Sequence, residues 1–311
     1  MPTSGHKSKT IRWKTKPLTP HPLLLTVPNM DKTEISQKSL IKLNRLRSIL
    51  KRMGHVLIAY SGGVDSTLLL KVAKDVLGKN VLAVVASSET YPEREVGDAL
   101  KLAKSLRVRN RLIQTRELEN PAFSSNPPQR CYYCKQELFT ELKKIADAEG
   151  ISNVLDGSNN EDTRDFRPGA QAGRELGIRS PLREARLLKR EIRLLSRLLR
   201  LPTWNKPSFA CLASRFPYET KIEKKSLRQI GAAEDMLREM GFKQIRVRHH
   251  GQVARIEVDP DDFPRILKKG TREKLVRRLK ALGYTYVSLD LAGYRTGSMN
   301  EPLKKKSVSS L

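Results

Sequence analysis

Apolar runs and periodic stretches alternate along the chain, and they set out its elements before composition is considered. From Ile35 to Met53 apolar residues recur with helical spacing, placing Leu40, Leu43, Leu46, Ile49 and Leu50 on one face. The short run His55–Tyr60 reads as a buried strand, Val64–Leu77 as a helix and Asn80–Ala86 as a second buried strand. Glu93–Leu106 is helical, Val108–Gln114 extended, Gln136–Glu149 helical, and Asn153–Asp156 a strand that stops at a glycine. Strands that are apolar without interruption, separated by helices, imply an α/β fold: a doubly wound parallel sheet covered on both faces. In such sheets ligands bind beyond the carboxyl ends of the strands.

The pattern breaks near Leu201-Pro202-Thr203-Trp204, after a leucine-rich basic stretch over Arg183–Arg200 that reads as a solvated helix face. A second unit follows, with helices over about 222–240 and 262–282 and strands near Gln244–His249, Gln252–Val258 and Thr285–Leu289. His249-His250-Gly251 forms the turn between the first two strands. This is a smaller α+β domain. The expected organisation is a basic extension over residues 1–30, a first domain over 31–203, a second over 204–302, and a tail over 303–311. The extension carries Lys7, Lys9, Arg12, Lys14 and Lys16, five prolines and no acid, a composition that cannot bury a core. Met30, directly before Asp-Lys-Thr-Glu, reads as an alternative start.

Charge narrows the classes of partner. Sixty Lys and Arg against 33 Asp and Glu give +27, which favours nucleotides, nucleic acids and other phosphorylated anions. Aromatic residues make up only 5%, leaving few stacking platforms for a single strand. No apolar run reaches the ~18 residues of a membrane span, so no membrane partner is expected. Three cysteines, an odd number, make no disulfide framework and fit metal or sulfur chemistry in a reducing cytoplasm.

Between the first strand and the second helix lies Ser61-Gly62-Gly63-Val64-Asp65-Ser66. Two glycines let the backbone turn and approach an anion, and the helix start offers unpaired N–H groups at a positive dipole end. Ser61 and Ser66 add hydroxyl donors, and Asp65 stands where Mg²⁺ on a pyrophosphate needs a carboxylate. The absence of GK[ST] excludes a Walker A loop. On the same rim, Asp156–Gly169 follows the fourth strand and includes Gly157, Asn159, Asp162, Asp165 and Arg167. Asp162 and Asp165 suit either Mg²⁺ or a helix cap, and Arg167 suits a phosphate or carboxylate.

Cys131 and Cys134 form a CxxC, and Cys211 lies eighty residues on from Cys131 in sequence. The pair alone reads equally as a redox dithiol, half a zinc site, or two thiols without a joint role. Three thiolates suit an iron–sulfur cluster with one iron left open to a non-protein ligand. Ser214, Arg215, Arg246 and Arg248 are candidate hands for substrate phosphate and carboxylates, Arg246 and Arg248 sharing one face of an alternating strand. Two exposed arginines on an edge strand are the alternative reading of that pair.

The SGGVDS string resembles the PP-loop of the ATP-pyrophosphatase superfamily, which forms adenylates and releases pyrophosphate on an adenine nucleotide alpha hydrolase-like fold. That resemblance implies that Ser87 and Ser88, at the end of the second strand, help hold adenosine. With SGGVDS, the strings RCYYCK, KPSFACLASRFPY, RVRHHG, ARIEV and LAGYRTGSMNE resemble, in this order, the LarE family over about residues 35–302. The resemblance implies an ATP-dependent sulfur transferase in nickel-pincer nucleotide cofactor biosynthesis. It would adenylate a carboxylate of a pyridinium dicarboxylate mononucleotide, with ATP and Mg²⁺, and replace oxygen by sulfur. Some members donate sulfur from one cysteine placed as Cys211 is; three-cysteine members resemble enzymes carrying a [4Fe-4S] cluster. With Cys131, Cys134 and Cys211 all present, this chain resembles the cluster type, and the family implies a homo-oligomer. The competing readings are a tRNA thiolation enzyme of the same superfamily, which the charge favours and the lack of an RNA module disfavours, and a non-catalytic nucleotide- or RNA-binding protein. An amidating synthetase would leave the cysteines idle.

Overall fold

Alternate residues of the first strands face opposite layers, and this decides how the helices sit. The computed structural model describes residues 37–161, 168–207, 210–295 and 297–301, which belong to one compact unit. In β1 (Val56–Ala59) and β2 (Val81–Ser87), Val56, Ile58, Val81, Ala83 and Val85 join a core with α1 (Gln37–Met53), α2 (Val64–Leu77) and α3 (Glu93–Ser105). Leu57, Leu82 and Val84 face the other way, onto a second core. β3 (Arg109–Gln114) and β4 (Asn153–Leu155) complete a four-stranded sheet of order β3-β2-β1-β4, with every pair parallel. β3 is a polar edge strand, mostly exposed, as an edge that must not pair further requires. Between β3 and β4 run the short α4 (Pro121–Ser124) and the long α5 (Arg130–Ala148), whose Leu138, Phe139, Leu142 and Ile145 fill the second core.

The doubly wound α/β sheet expected from the sequence is present. On α1 the buried face is Leu43, Leu46, Ile49, Leu50 and Met53, while Leu40 is only half-buried. The fourth large helix, α5, starts at Arg130, six residues before the expected Gln136. Its first turn, Arg-Cys-Tyr-Tyr, has no apolar periodicity to announce it. After β4 come α6 (Pro168–Glu175), α7 (Pro181–Glu184) and α8 (Lys189–Leu198); the basic stretch is thus two helices, and α8 buries Ile192 and Leu195.

The smaller sheet has the order β5-β6-β7. β5 (Ile245–His250) and β6 (Val253–Val258) form an antiparallel hairpin, turned at Gly251 with φ +61°. β7 (Tyr286–Leu289) pairs parallel to β6 after a crossover through α10 (Phe263–Leu267) and α11 (Lys269–Ala281). With α9 (Lys224–Glu239) this sheet encloses its own core around Leu237, Phe242, Ile256 and Leu279. A fourth cluster joins Phe123, on α4, to Leu212, Phe216, Ile222, Leu227 and Ile230, with Cys134 and Cys211 packed against it. No helix among the described residues is long and apolar enough to cross a membrane.

Candidate active site

Strand order reverses between β1 and β4, and the phosphate loop sits at that switch point, where open α/β sheets bind ligands. Gly62 adopts φ +67°, and a Cβ there would lie 2.8 Å from the Ala99 Cβ on α3, so only glycine fits the turn. Gly63 is the N-cap of α2 without a side-chain cap, leaving first-turn N–H groups for an anion. The Ser61 and Ser66 hydroxyls are 3.1 Å apart, and Ser66 Oγ also donates to the Gly63 carbonyl at 3.3 Å.

The β4 rim closes on this loop. A Cβ at Gly157 would stand 3.1 Å from Ser66 N, so the glycine permits close backbone contact. Buried Asn159 donates from Nδ2 to Asp65 Oδ1 at 3.2 Å. Lys189, at the start of α8, pairs with the other oxygen of Asp65. Two bonds hold α8 in place: Asn160 N to the Leu187 carbonyl at 3.0 Å and Lys189 N to Glu161 Oε1 at 3.1 Å. Lys206 reaches the Gly62 carbonyl at 3.3 Å and pairs with Glu95 at 2.7 Å. Two lysines therefore converge on the loop, and the sequence reading assigned a site role to neither. A cleft of about 410 Å³ adjoins Gly62, Lys101, Pro202 and Lys206; the larger one, about 720 Å³, lies away from the loop at Gln114–Arg116 and Lys221–Lys224. Asp162, Asp165 and Arg167 lie outside the described residues.

At the end of β2, Ser87 accepts at its carbonyl from Thr115 N at 2.9 Å. Ser88 and Thr90 both donate to Glu117 Oε1, at 2.5 and 2.6 Å. Glu117 is buried, and its Oε2 has no hydrogen-bond partner. The Thr90 carbonyl accepts from Leu212 N at 2.8 Å, which ties the Cys211 loop to the ligand-bearing end of the first sheet.

All three thiols are drawn to this junction. Cys131 and Cys134 lie one helical turn apart on the first turn of α5, and Cys211 caps the 3-10 turn Leu212–Arg215. Part of Cys134 reaches solvent, but it packs on the apolar cluster, and that burial pushes its thiol well above the usual range. The negative charges of Glu117, Cys211 and Cys131 add to the shift and Lys135 opposes it. Tyr91 interacts with Cys134, and its phenol is raised first by that electrostatic interaction, then by burial and by Cys211 and Glu117. Three cysteines within electrostatic reach of one another match in kind the donor set of a cluster. Among the described residues, no three His, Cys, Asp or Glu side chains gather into the shell of a metal ion.

The arginines expected to meet substrate have protein partners. Arg215 is fully buried and doubly bonded to Glu234, at 2.8 and 2.9 Å, and it also donates to the Ala210 and Cys211 carbonyls and to Ser214 Oγ. Arg248 is forked onto Glu257, at 2.8 and 2.9 Å, and donates to the Ser214 carbonyl at 2.7 Å. Both arginines thereby fix the backbone of the Cys211–Ser214 loop. Arg246 lies over the Tyr294 ring, 4.9 Å from its centroid. Burial and the charges of Arg215 and Arg248 lower its pKa, the mark of a crowded cationic cluster. The shared face of Arg246 and Arg248 is consistent with that coupling.

Known proteins are similar to the chain over most of its length. A family model described as NAD synthase matches residues 43–133, a stretch that holds the phosphate loop and Cys131 and ends one residue before Cys134. The chain is 45% identical over 264 residues to an uncharacterised protein of Synechocystis sp., covering 85% of this chain and 98% of the relative. It is 40% identical over 265 residues to the pyridinium-3,5-bisthiocarboxylic acid mononucleotide synthase of Lactiplantibacillus plantarum, covering 85% and 95%. It is 30% identical over 260 residues to an uncharacterised protein of Methanocaldococcus jannaschii, covering 83% and 98%.

Proposed function

The chain belongs to the LarE family, within the PP-loop superfamily, and from that membership we propose that it is an ATP-dependent sulfur transferase acting on a pyridinium dicarboxylate mononucleotide. A carboxylate is a poor electrophile because its leaving group would be oxide. Attack of a carboxylate oxygen on the ATP α-phosphorus forms an acyl adenylate and releases pyrophosphate. Attack of sulfur on the activated carbon then breaks the carbon–oxygen bond to AMP and leaves a thiocarboxylate.

The reading assigns each residue a task. The first-turn N–H groups of α2, Ser61, Ser66, Lys189 and Lys206 receive the phosphates. Asp65 and Asp162 would hold Mg²⁺ on the pyrophosphate. Ser87 and Ser88 border the adenosine. Ser214, Arg215, Arg246, Arg248 and Arg167 would receive the substrate anions, and Arg215 and Arg248 also hold the loop that presents Cys211. Cys131, Cys134 and Cys211 are the residues that would hold a [4Fe-4S] cluster, which when bound supplies a soft sulfur nucleophile. Orienting that sulfur against the adenylate carbon contributes much of the rate.

The observation that carries the reading is the Leu212 N to Thr90 carbonyl bond at 2.8 Å, which attaches the cysteine loop to the nucleotide rim. Anaerobic purification followed by iron and acid-labile sulfide analysis tests the sulfur half. Iron and sulfide at cluster stoichiometry are expected, and lost in Cys131→Ala, Cys134→Ala and Cys211→Ala. A metal-free protein whose Cys211 becomes dehydroalanine would replace the cluster by a sacrificial cysteine. The net charge of +27 favours a second reading, tRNA thiolation. Salt-sensitive tRNA binding with thionucleoside formation would establish it.

A further inference from the structure

Arg215 and Arg248, buried or nearly so, each have a carboxylate fork; a third buried arginine has none. Arg130, the first residue of α5, is 1% exposed and makes no ion pair among the described residues. Its partners are neutral: Nη1 donates to Asn126 Oδ1 at 2.8 Å, Nη2 to the Met299 sulfur at 3.0 Å, and the guanidinium lies 4.9 Å from the Tyr218 ring centroid. Its Nε has no hydrogen-bond partner among the described residues. A guanidinium out of water without an opposite charge is costly, and a thioether is a weak acceptor. The site therefore holds a strong donor facing a partner that an oxyanion would outbid.

That partner belongs to a turn seated on the site by three consecutive side chains. Ser298 Oγ accepts from Arg248 Nη2 at 2.8 Å, Met299 accepts from Arg130, and Asn300 Oδ1 accepts from Tyr218 at 2.9 Å. Gly297, at φ +82° with open space where a Cβ would stand, precedes the turn and gives it a pivot. The start of α5 adds to the positive field, since its first turn carries no acid and its N-cap no side-chain bond. Cys131 follows Arg130 directly in the chain, on the same first turn of α5.

We propose that Arg130 is the anchor of an oxyanion subsite, taking a carboxylate or phosphate group, and that Met299 is the side chain this anion displaces. The parent molecule of that anion, a nucleotide-like dicarboxylate, rests on the function proposed above; the subsite rests on Arg130 and its neutral partners. Displacement frees Arg130 Nη2 for a charge-assisted bond, while Ser298 and Asn300 release or retain their partners as the turn pivots at Gly297.

The full-length protein labelled with [13C-methyl]methionine supplies the test, because only six methionines need resolving. Met299→Leu assigns its signal. Pyridine-3,5-dicarboxylate and inorganic phosphate are titrated separately at constant ionic strength, with chloride as the control. One of the two oxyanions is expected to shift the Met299 signal saturably, and which one does so identifies the group bound. Arg130→Gln is expected to weaken that binding by roughly tenfold or more, the loss of a charge-assisted bond. Met299→Ala is expected to tighten it several-fold, since the competing side chain is gone; a misfolded variant cannot mimic tighter binding. An unmoved Met299 signal with both anions, wild-type affinity in folded Arg130→Gln, or weaker binding in Met299→Ala would each overturn the subsite. Pyrophosphate release, read on the same protein given ATP, Mg²⁺ and the pyridinium dicarboxylate mononucleotide, separates this from the proposed function. Release with an unmoved Met299 signal overturns the subsite alone, whereas a Met299 shift without release supports the subsite and counts against the reaction.

Discussion

Gly62→Ala tests whether the phosphate loop is held as described. The substitution places a side chain at φ +67°, which costs about 1–2 kcal/mol for an L-residue. It also sets a Cβ 2.8 Å from the Ala99 Cβ and 3.1 Å from its Cα, well inside ordinary contact. Both Ala99 atoms lie within α3, so the neighbour cannot swing away, and overpacking of this kind costs about 1–3 kcal/mol. The expected loss of unfolding free energy is therefore about 2–5 kcal/mol, read by urea denaturation. Gly63→Ala is the control: its φ is −79° and its nearest neighbour would be the Ser61 hydroxyl at 3.4 Å. As an uncapped N-cap it should lose no more than about 1 kcal/mol. Ala99→Gly costs about 1 kcal/mol in mid-helix by itself, yet combined with Gly62→Ala it should return most of the steric part. Equal stability of the Gly62→Ala and Gly63→Ala variants, or no coupling with Ala99→Gly, would refute the reasoning.

The other expectations concern charge. Glu234→Gln strands the buried Arg215 guanidinium and should cost about 3–5 kcal/mol by denaturation, with sulfur transfer falling as the Cys211 loop loosens. Lys189→Ala should leave stability nearly unchanged but sharply raise the ATP concentration needed for pyrophosphate release; an unaltered ATP dependence would remove Lys189 from the site. Burial lowers the pKa of His249, with help from His250. The unfolded chain therefore binds its proton first as pH falls, so stability should drop below about pH 6.5, and His249→Asn should flatten that limb of the pH–stability curve.

What the sequence revealed and what it hid follow from the range of the interactions. Helix Val64–Leu77 and the loop before it were legible because glycines, a buried strand and apolar periodicity lie side by side. The start of α5 was hidden because its first turn is buried through Arg130, not through apolar spacing. Lys189 was concealed in a basic run, and only the contacts of α8 with Asn160 and Glu161 turn it toward Asp65. Glu234 and Glu257, the carboxylates that hold Arg215 and Arg248, were hidden because tertiary packing that no local pattern encodes brings them there.

The central claim is that ATP is spent to exchange a carboxylate oxygen for sulfur. Its most direct test incubates anaerobically purified protein with ATP, Mg²⁺ and the pyridinium dicarboxylate mononucleotide, then records AMP, pyrophosphate and the product mass. The expected result is a product heavier by one oxygen-to-sulfur exchange, formed with AMP and pyrophosphate in equal amounts. Unchanged substrate with no pyrophosphate, or pyrophosphate released without sulfur entering any product, would contradict it.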